Sequence, residues 1–231
     1  MKNIIIVRHG QSEANVNLKG GLSEEGEYII DSDFELSEEG RKQAYNLRRK
    51  IVPVISANYS PKITLYVSPF KRTRDTASLL REGLKDAGFW KEERTKYIED
   101  PRITEMDFGD FDFQLRDKWK ELSPHSFYIN QKKYSSPSGR FFARTENGEN
   151  YLDVYNRLSL FVTTRLEREL EKTDTDTHII VTHGMAMRIL KMYLLNSSIE
   201  SVNEMELPDN CCGYHFVYDE YTGEYIYVGE I

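Results

Sequence analysis

The chain has 231 residues, with 31 Lys and Arg against 38 Asp and Glu, a formal net charge of −7. That balance argues against a basic nucleic-acid-binding surface, while 39% hydrophobic and 12% aromatic residues are too many for a disordered chain. No stretch approaches the ~20 apolar residues that span a bilayer, so the expectation is a cytoplasmic protein with no membrane partner.

The N-terminus fits this expectation, since Met1 to Val7 holds too short an apolar run for a signal peptide. Adjacent Cys211 and Cys212 do not suit a disulfide framework. Ile4 to Val7 is a run of β-branched residues and predicts a buried strand. Ser37 followed by Glu38 and Glu39 predicts a helix N-terminus, with Ala44, Leu47 and Ile51 on its apolar face. Ile63 to Val67 predicts a second strand, and Ser68-Pro69 predicts a helix start with Ser68 as the cap. A weaker strand is expected at Lys96 to Glu99.

A long helix is expected from Asn150, with Tyr151, Tyr155, Leu158, Val162, Leu166 and Leu170 in one apolar stripe. His178 to Thr182 predicts a strand running into a helix through Met185, Ile189 and Tyr193. Gly213 to Tyr218 and Glu224 to Val228 predict a hairpin. Alternating strands and helices imply an α/β fold: a three-layer sandwich with a mostly parallel sheet and helices on both faces. The chain reads as one domain, 1–231. Its polar, aromatic stretch at about 106–148 reads as an insertion over a site, with a short helix at Leu115 to Leu122.

Four motifs carry chemistry. Arg8-His9-Gly10 follows the first strand, where α/β proteins place ligands. Arg8 offers a planar fork suited to phosphate, and Gly10 lets backbone and ligand approach closely. His183-Gly184 follows another strand, and the helix beginning there would aim free N–H groups at an anion. Ser68 to Ala77 puts Arg72 in a first helical turn, sharing a face with Thr76. Arg102 to Phe111 is an acidic loop holding Glu105. His125, His178 and His215 have no motif around them and read as insertion surface, strand-edge and hairpin residues.

Together these motifs resemble the histidine phosphatase superfamily, the phosphoglycerate mutase-like fold. Arg8-His9-Gly10 is similar to its signature, with Ser12 and Asn15 at the polar positions that follow. Ser68-Pro69 to Ala77 resembles the second motif and His183-Gly184 the second histidine motif. Gly148-Glu149-Asn150 to Arg157, with Arg140-Phe141-Phe142 before it, is similar to the broad-range acid phosphatase branch. Thr73 and Asp75 depart from the family pattern, and Asp75 stands where it could pair with Arg72.

The resemblance implies a phosphomonoesterase. His9 would attack phosphorus, Glu105 would protonate the leaving group, and Arg8, Arg72 and His183 would face the phosphoryl oxygens. Ser12, Asn15 and Gly184 would contact phosphate or substrate. No cofactor and no metal are expected, because two arginines in the pocket would repel a divalent cation. The partner is a small phosphorylated substrate, with Phe108, Phe111, Phe113, Phe141 and Phe142 forming aromatic walls. The alternatives are a phosphoglycerate mutase, disfavoured by Met106-Asp107 after Glu105 where mutases carry Arg, and a catalytically silent phosphate-binding module.

Overall fold

The structure, a computed structural model, describes residues 1–16, 31–56, 61–109, 121, 139–144, 146–172 and 174–231. The helix expected at Leu115 to Leu122 lies outside the described residues except Glu121, as do Phe111, Phe113 and His125.

Six strands form one sheet: β1 (Lys2–Arg8), β2 (Ile63–Val67), β3 (Thr95–Glu99), β4 (Thr177–Thr182), β5 (Gly213–Asp219) and β6 (Glu224–Glu230), in the order β3-β2-β4-β1-β5-β6. β1 to β4 run parallel, with Ile5 opposite Ile179 and Leu65 opposite Ile179 in the central registers. β5 and β6 add an antiparallel edge.

The strand period of two splits the core. Beyond the one-turn α1 (Glu13–Val16), Ile5, Val7, Leu65, Val67, Ile179 and Val181 face α2 (Glu38–Asn46), α3 (Arg48–Ile55) and α4 (Lys71–Asp86) through Ala44, Leu47, Ile51, Leu80 and Leu84. Ile4, Ile6, Tyr66 and Ile180 face the other layer, which includes Val154, Leu158 and Phe161, and Met187, Ile189 and Leu190. These come from a helix at Tyr151–Phe161 and another at Gly184–Leu194. The three-layer α/β sandwich expected from the sequence is therefore the observed one.

Local signals set several element ends. Ser37 caps its helix, its Oγ accepting from the Gly40 N–H at 3.0 Å. Asn150 and Asp153 form a reciprocal capping box at the start of the helix at Tyr151–Phe161. The apolar stripe beyond it continues through a π turn at Val162–Leu166, and Arg102 donates to the Leu160 carbonyl beside that turn at 3.1 Å.

Two expectations are corrected. Ser68 is not a cap: α4 begins at Lys71 after Phe70, with no side-chain cap bond. His178 is not a strand-edge residue but fully buried in central β4, its Nδ1 3.3 Å from the Tyr66 hydroxyl. Burial pulls its pKa down to about 3. Of the five phenylalanines expected as walls, Phe111 and Phe113 lie outside the described residues, Phe108 packs partly buried against the core, Phe141 is buried against Tyr151, and Phe142 is 57% exposed.

Candidate active site

The four parallel strands converge at their carboxyl ends, and each delivers part of one site. Arg8 and His9 end β1, Ser68 follows β2, Glu105 lies on the loop after β3, and His183 follows β4. The rings of His9 and His183 meet edge to face, 5.2 Å between centroids.

His9 is 4% exposed and its Nδ1 is 2.7 Å from the Gly10 carbonyl oxygen. A carbonyl only accepts, so Nδ1 carries the proton and Nε2 keeps its lone pair. Burial, reinforced by Arg72 and Arg8, holds the His9 pKa well below the usual histidine value, against the opposing pull of the Gly10 bond. His183 is fully buried and shifts the same way, through burial first and then the charges of Arg72, His9, Arg157 and Arg8. Its Nε2 lies 2.8 Å from Ser68 Oγ. If Ser68 donates there, His183 Nδ1 becomes an N–H donor, and that atom has no partner among the described residues.

Two further buried polar atoms near His9 lack partners among the described residues: Arg8 Nε and Ser12 Oγ. Arg8 is held from its other end, Nη1 donating to the Pro208 carbonyl at 2.8 Å. An anion with several acceptor oxygens is the chemistry that three such orphans suit. Asn15 plays a different part from Ser12. Its Oδ1 accepts from the Ser12 N–H at 3.1 Å and from Asn210 Nδ2 at 3.3 Å, and that amide also donates to the His9 carbonyl at 3.0 Å.

Arg72 is 4% exposed and fully engaged at one end. Its Nη1 and Nη2 grip the Asp31 carboxylate at 2.9 and 3.0 Å. Asp75 is not its partner and lies 3.5 Å from Lys71 Nζ. Thr76, on the shared face, ties α4 to the first motif: its Oγ1 accepts from the Gly10 N–H at 3.0 Å and donates to the Arg72 carbonyl at 2.7 Å.

The two glycines act by packing. A Cβ on Gly10 would lie 2.5 Å from the Gly40 carbonyl oxygen, so its close approach is to α2 and not to a ligand. A Cβ on Gly184 would lie 2.4 Å from Leu207 Cδ1. The helix N-terminus behind Gly184 is already occupied, since Met185 and Ala186 donate their N–H groups to the two Glu105 carboxylate oxygens, each at 3.2 Å. Glu105 Oε1 also accepts from the Met106 N–H at 3.0 Å.

A cleft of about 430 Å³ adjoins these groups, lined by Asp31, Phe70, Glu105, Asp107, Glu149 and Arg157 among others. As for a metal, Arg8 and Arg72 place two cationic groups beside His9, which disfavours a divalent cation there. No metal-ligating cluster occurs among the described residues. No helix among them is long and apolar enough to cross a membrane.

Sequence reasoning missed Asp31 and the role of Ser68. A serine preceding Pro at a strand end carries no mark that separates a cap from a histidine partner, and nothing local ties Asp31 to an arginine 41 residues away.

Comparison with known proteins identifies relatives of the whole fold. The phosphoglycerate mutase-like proteins AT74 and AT74H of Arabidopsis thaliana are 29% and 31% identical to this chain. The matches cover 90% and 91% of this chain, which spans 62% and 72% of those two proteins. The crystal structure of the alpha-ribazole phosphatase from Shigella flexneri superposes with a TM-score of 0.72 at 20% identity, covering 98% of this chain and 95% of that one. The model of the histidine phosphatase superfamily (branch 1) matches residues 4–230, and the chain belongs to that family.

Proposed function

We propose that the protein is a phosphomonoesterase that works through a phosphohistidine on His9. One observation carries this reading: the 2.7 Å contact of His9 Nδ1 with the Gly10 carbonyl leaves Nε2 as a buried, unprotonated nucleophile. Burial and the two arginines oppose its protonation, so it stays nucleophilic into mildly acidic solution.

The sequence of events follows from the donors. His9 Nε2 forms a bond to phosphorus as the ester P–O bond breaks. Arg8, Arg72 and His183 stabilise the charge on the phosphoryl oxygens, where preorganised donors typically contribute several kcal/mol. Glu105 gives its proton to the leaving oxygen, then takes one from the water that attacks the phosphohistidine. That water releases inorganic phosphate and restores His9. Because the cleft shares Glu105, it is where the alcohol portion of the ester would lie. No step requires a metal.

The test is phosphate release from a panel of small phosphomonoesters in excess chelator, with His9→Ala as the control. Turnover, with a phosphoryl-enzyme seen by intact mass in the wild type and lost in His9→Ala, is the expected result. Absence of turnover, with interconversion of 3-phosphoglycerate instead, would establish the mutase. Absence of both would leave a phosphate-binding module.

A further inference from the structure

We infer that Arg157 and Glu149 are positioning residues for the proton donor Glu105, an inference that rests on the phosphatase reading above. All five N–H groups of the Arg157 guanidinium are spent. Nη1 donates to the Arg102 and Thr104 carbonyls, each at 2.8 Å. Nη2 donates to the Glu105 carbonyl at 2.9 Å and to Glu149 Oε2 at 2.9 Å. Nε donates to Glu149 Oε1 at 2.8 Å. The side chains are 17% and 25% exposed.

Glu149 closes the bracket from the other side. Its Oε2 also accepts from the Asp107 N–H at 3.1 Å, and its own N–H donates to the Asp107 carbonyl at 2.8 Å. The Ile103 carbonyl accepts from Thr182 Oγ1 at 2.6 Å. The backbone is therefore held at 102, 103, 104, 105 and 107, on both sides of the carboxylate-bearing residue.

This arrangement exceeds what burying the loop requires. Arg157 belongs to a capped helix at Tyr151–Phe161, so the loop after β3 is referenced to that helix and, through Thr182, to β4. Only a planar five-donor fork can serve three carbonyls and a bidentate carboxylate together. A lysine would keep the charge and lose the geometry. Since a misplacement of about 1 Å can cost about a hundredfold in rate, the bracket acts on kcat through Glu105.

The experiment uses the full chain and two ester classes: an alkyl phosphate, whose leaving oxygen needs a proton, and an aryl phosphate with an acidic leaving group, which does not. Arg157→Lys is expected to lose about ten- to hundredfold in kcat on the alkyl ester and at most about threefold on the aryl ester. In the Glu105→Gln background the same substitution should add almost nothing, since the group it positions is gone. Glu149→Gln, which keeps the shape, should show the same selectivity at smaller size and serves if Arg157→Lys folds poorly. Equal losses on both esters, or additive losses with Glu105→Gln, would overturn the inference while leaving the phosphatase intact. If Glu105→Gln itself lacks leaving-group selectivity, the acid role fails and the positioning role fails with it.

Discussion

Asp31 occupies the end of Arg72 that the phosphatase reading needs, so removing its charge should tighten phosphate binding. The pair is bidentate, with Arg72 5% and Asp31 19% exposed at the side chain. Either a phosphoryl group displaces the carboxylate or it binds beside it. Displacement breaks two charge-assisted bonds, nominally about 1.5–3 kcal/mol each before the freed carboxylate is rehydrated. Coexistence sets like charges together, and at roughly 6 Å and an effective dielectric near 20 each unit of phosphate charge costs about 3 kcal/mol. Both routes favour the uncharged variant. Discounting for water at the partly exposed carboxylate leaves at least ~1.4 kcal/mol, or about tenfold.

Asp31→Asn keeps the shape and is the perturbation of choice. The assay is competitive inhibition by inorganic phosphate against a small aryl phosphate. The inhibition constant should fall about tenfold, with KM falling alongside it. Where phosphate release limits turnover, kcat should fall too. An inhibition constant that rises would refute the reasoning, because Asp31 would then be holding Arg72 in place for phosphate.

Three other perturbations follow from particular contacts. Ser68→Ala removes the hydroxyl from His183 Nε2; with its tautomer unset, His183 should cost about tenfold in kcat with little change in KM, read from steady-state kinetics. Gly10→Ala drives a Cβ to 2.5 Å from the Gly40 carbonyl oxygen, so chemical denaturation should show a loss of about 1–3 kcal/mol, with activity falling further because His9 moves with Gly10. Folding buries His9, His178 and His183 with depressed pKa values, whereas the unfolded chain protonates each near pH 6.5. The unfolded state then holds the extra protons, so stability is full above that pH and falls on acidification until the folded pKa is reached, about 3 for His178. The slope should approach ~4 kcal/mol per pH unit with all three groups in play; urea unfolding at about pH 7 and about pH 5 checks it, and equal stabilities would refute the burial of neutral imidazoles.

Much of the fold and several residues of the candidate site were legible because local chemistry fixes them. The β-branched run at Ile4 to Val7, the Ser37 and Asn150 caps and the two His-Gly strand ends each express a preference of their own segment. What was illegible is who satisfies whom. Ser68 reads as a cap for the helix after it, Gly10 as room for a ligand, the helix behind Gly184 as an anion site and Asp75 as the partner of Arg72. In the folded chain those needs are met across the molecule: Ser68 meets His183, Gly10 meets Gly40, Glu105 fills the helix N-terminus and Asp31 takes Arg72. The common cause is geometric. Four parallel strands end together, so polar groups there find partners on neighbouring crossovers as well as on their own. At such an edge, residue identity announces the chemistry, while the pairing that tunes each group is set by the sheet order and emerges only when the strands are placed side by side.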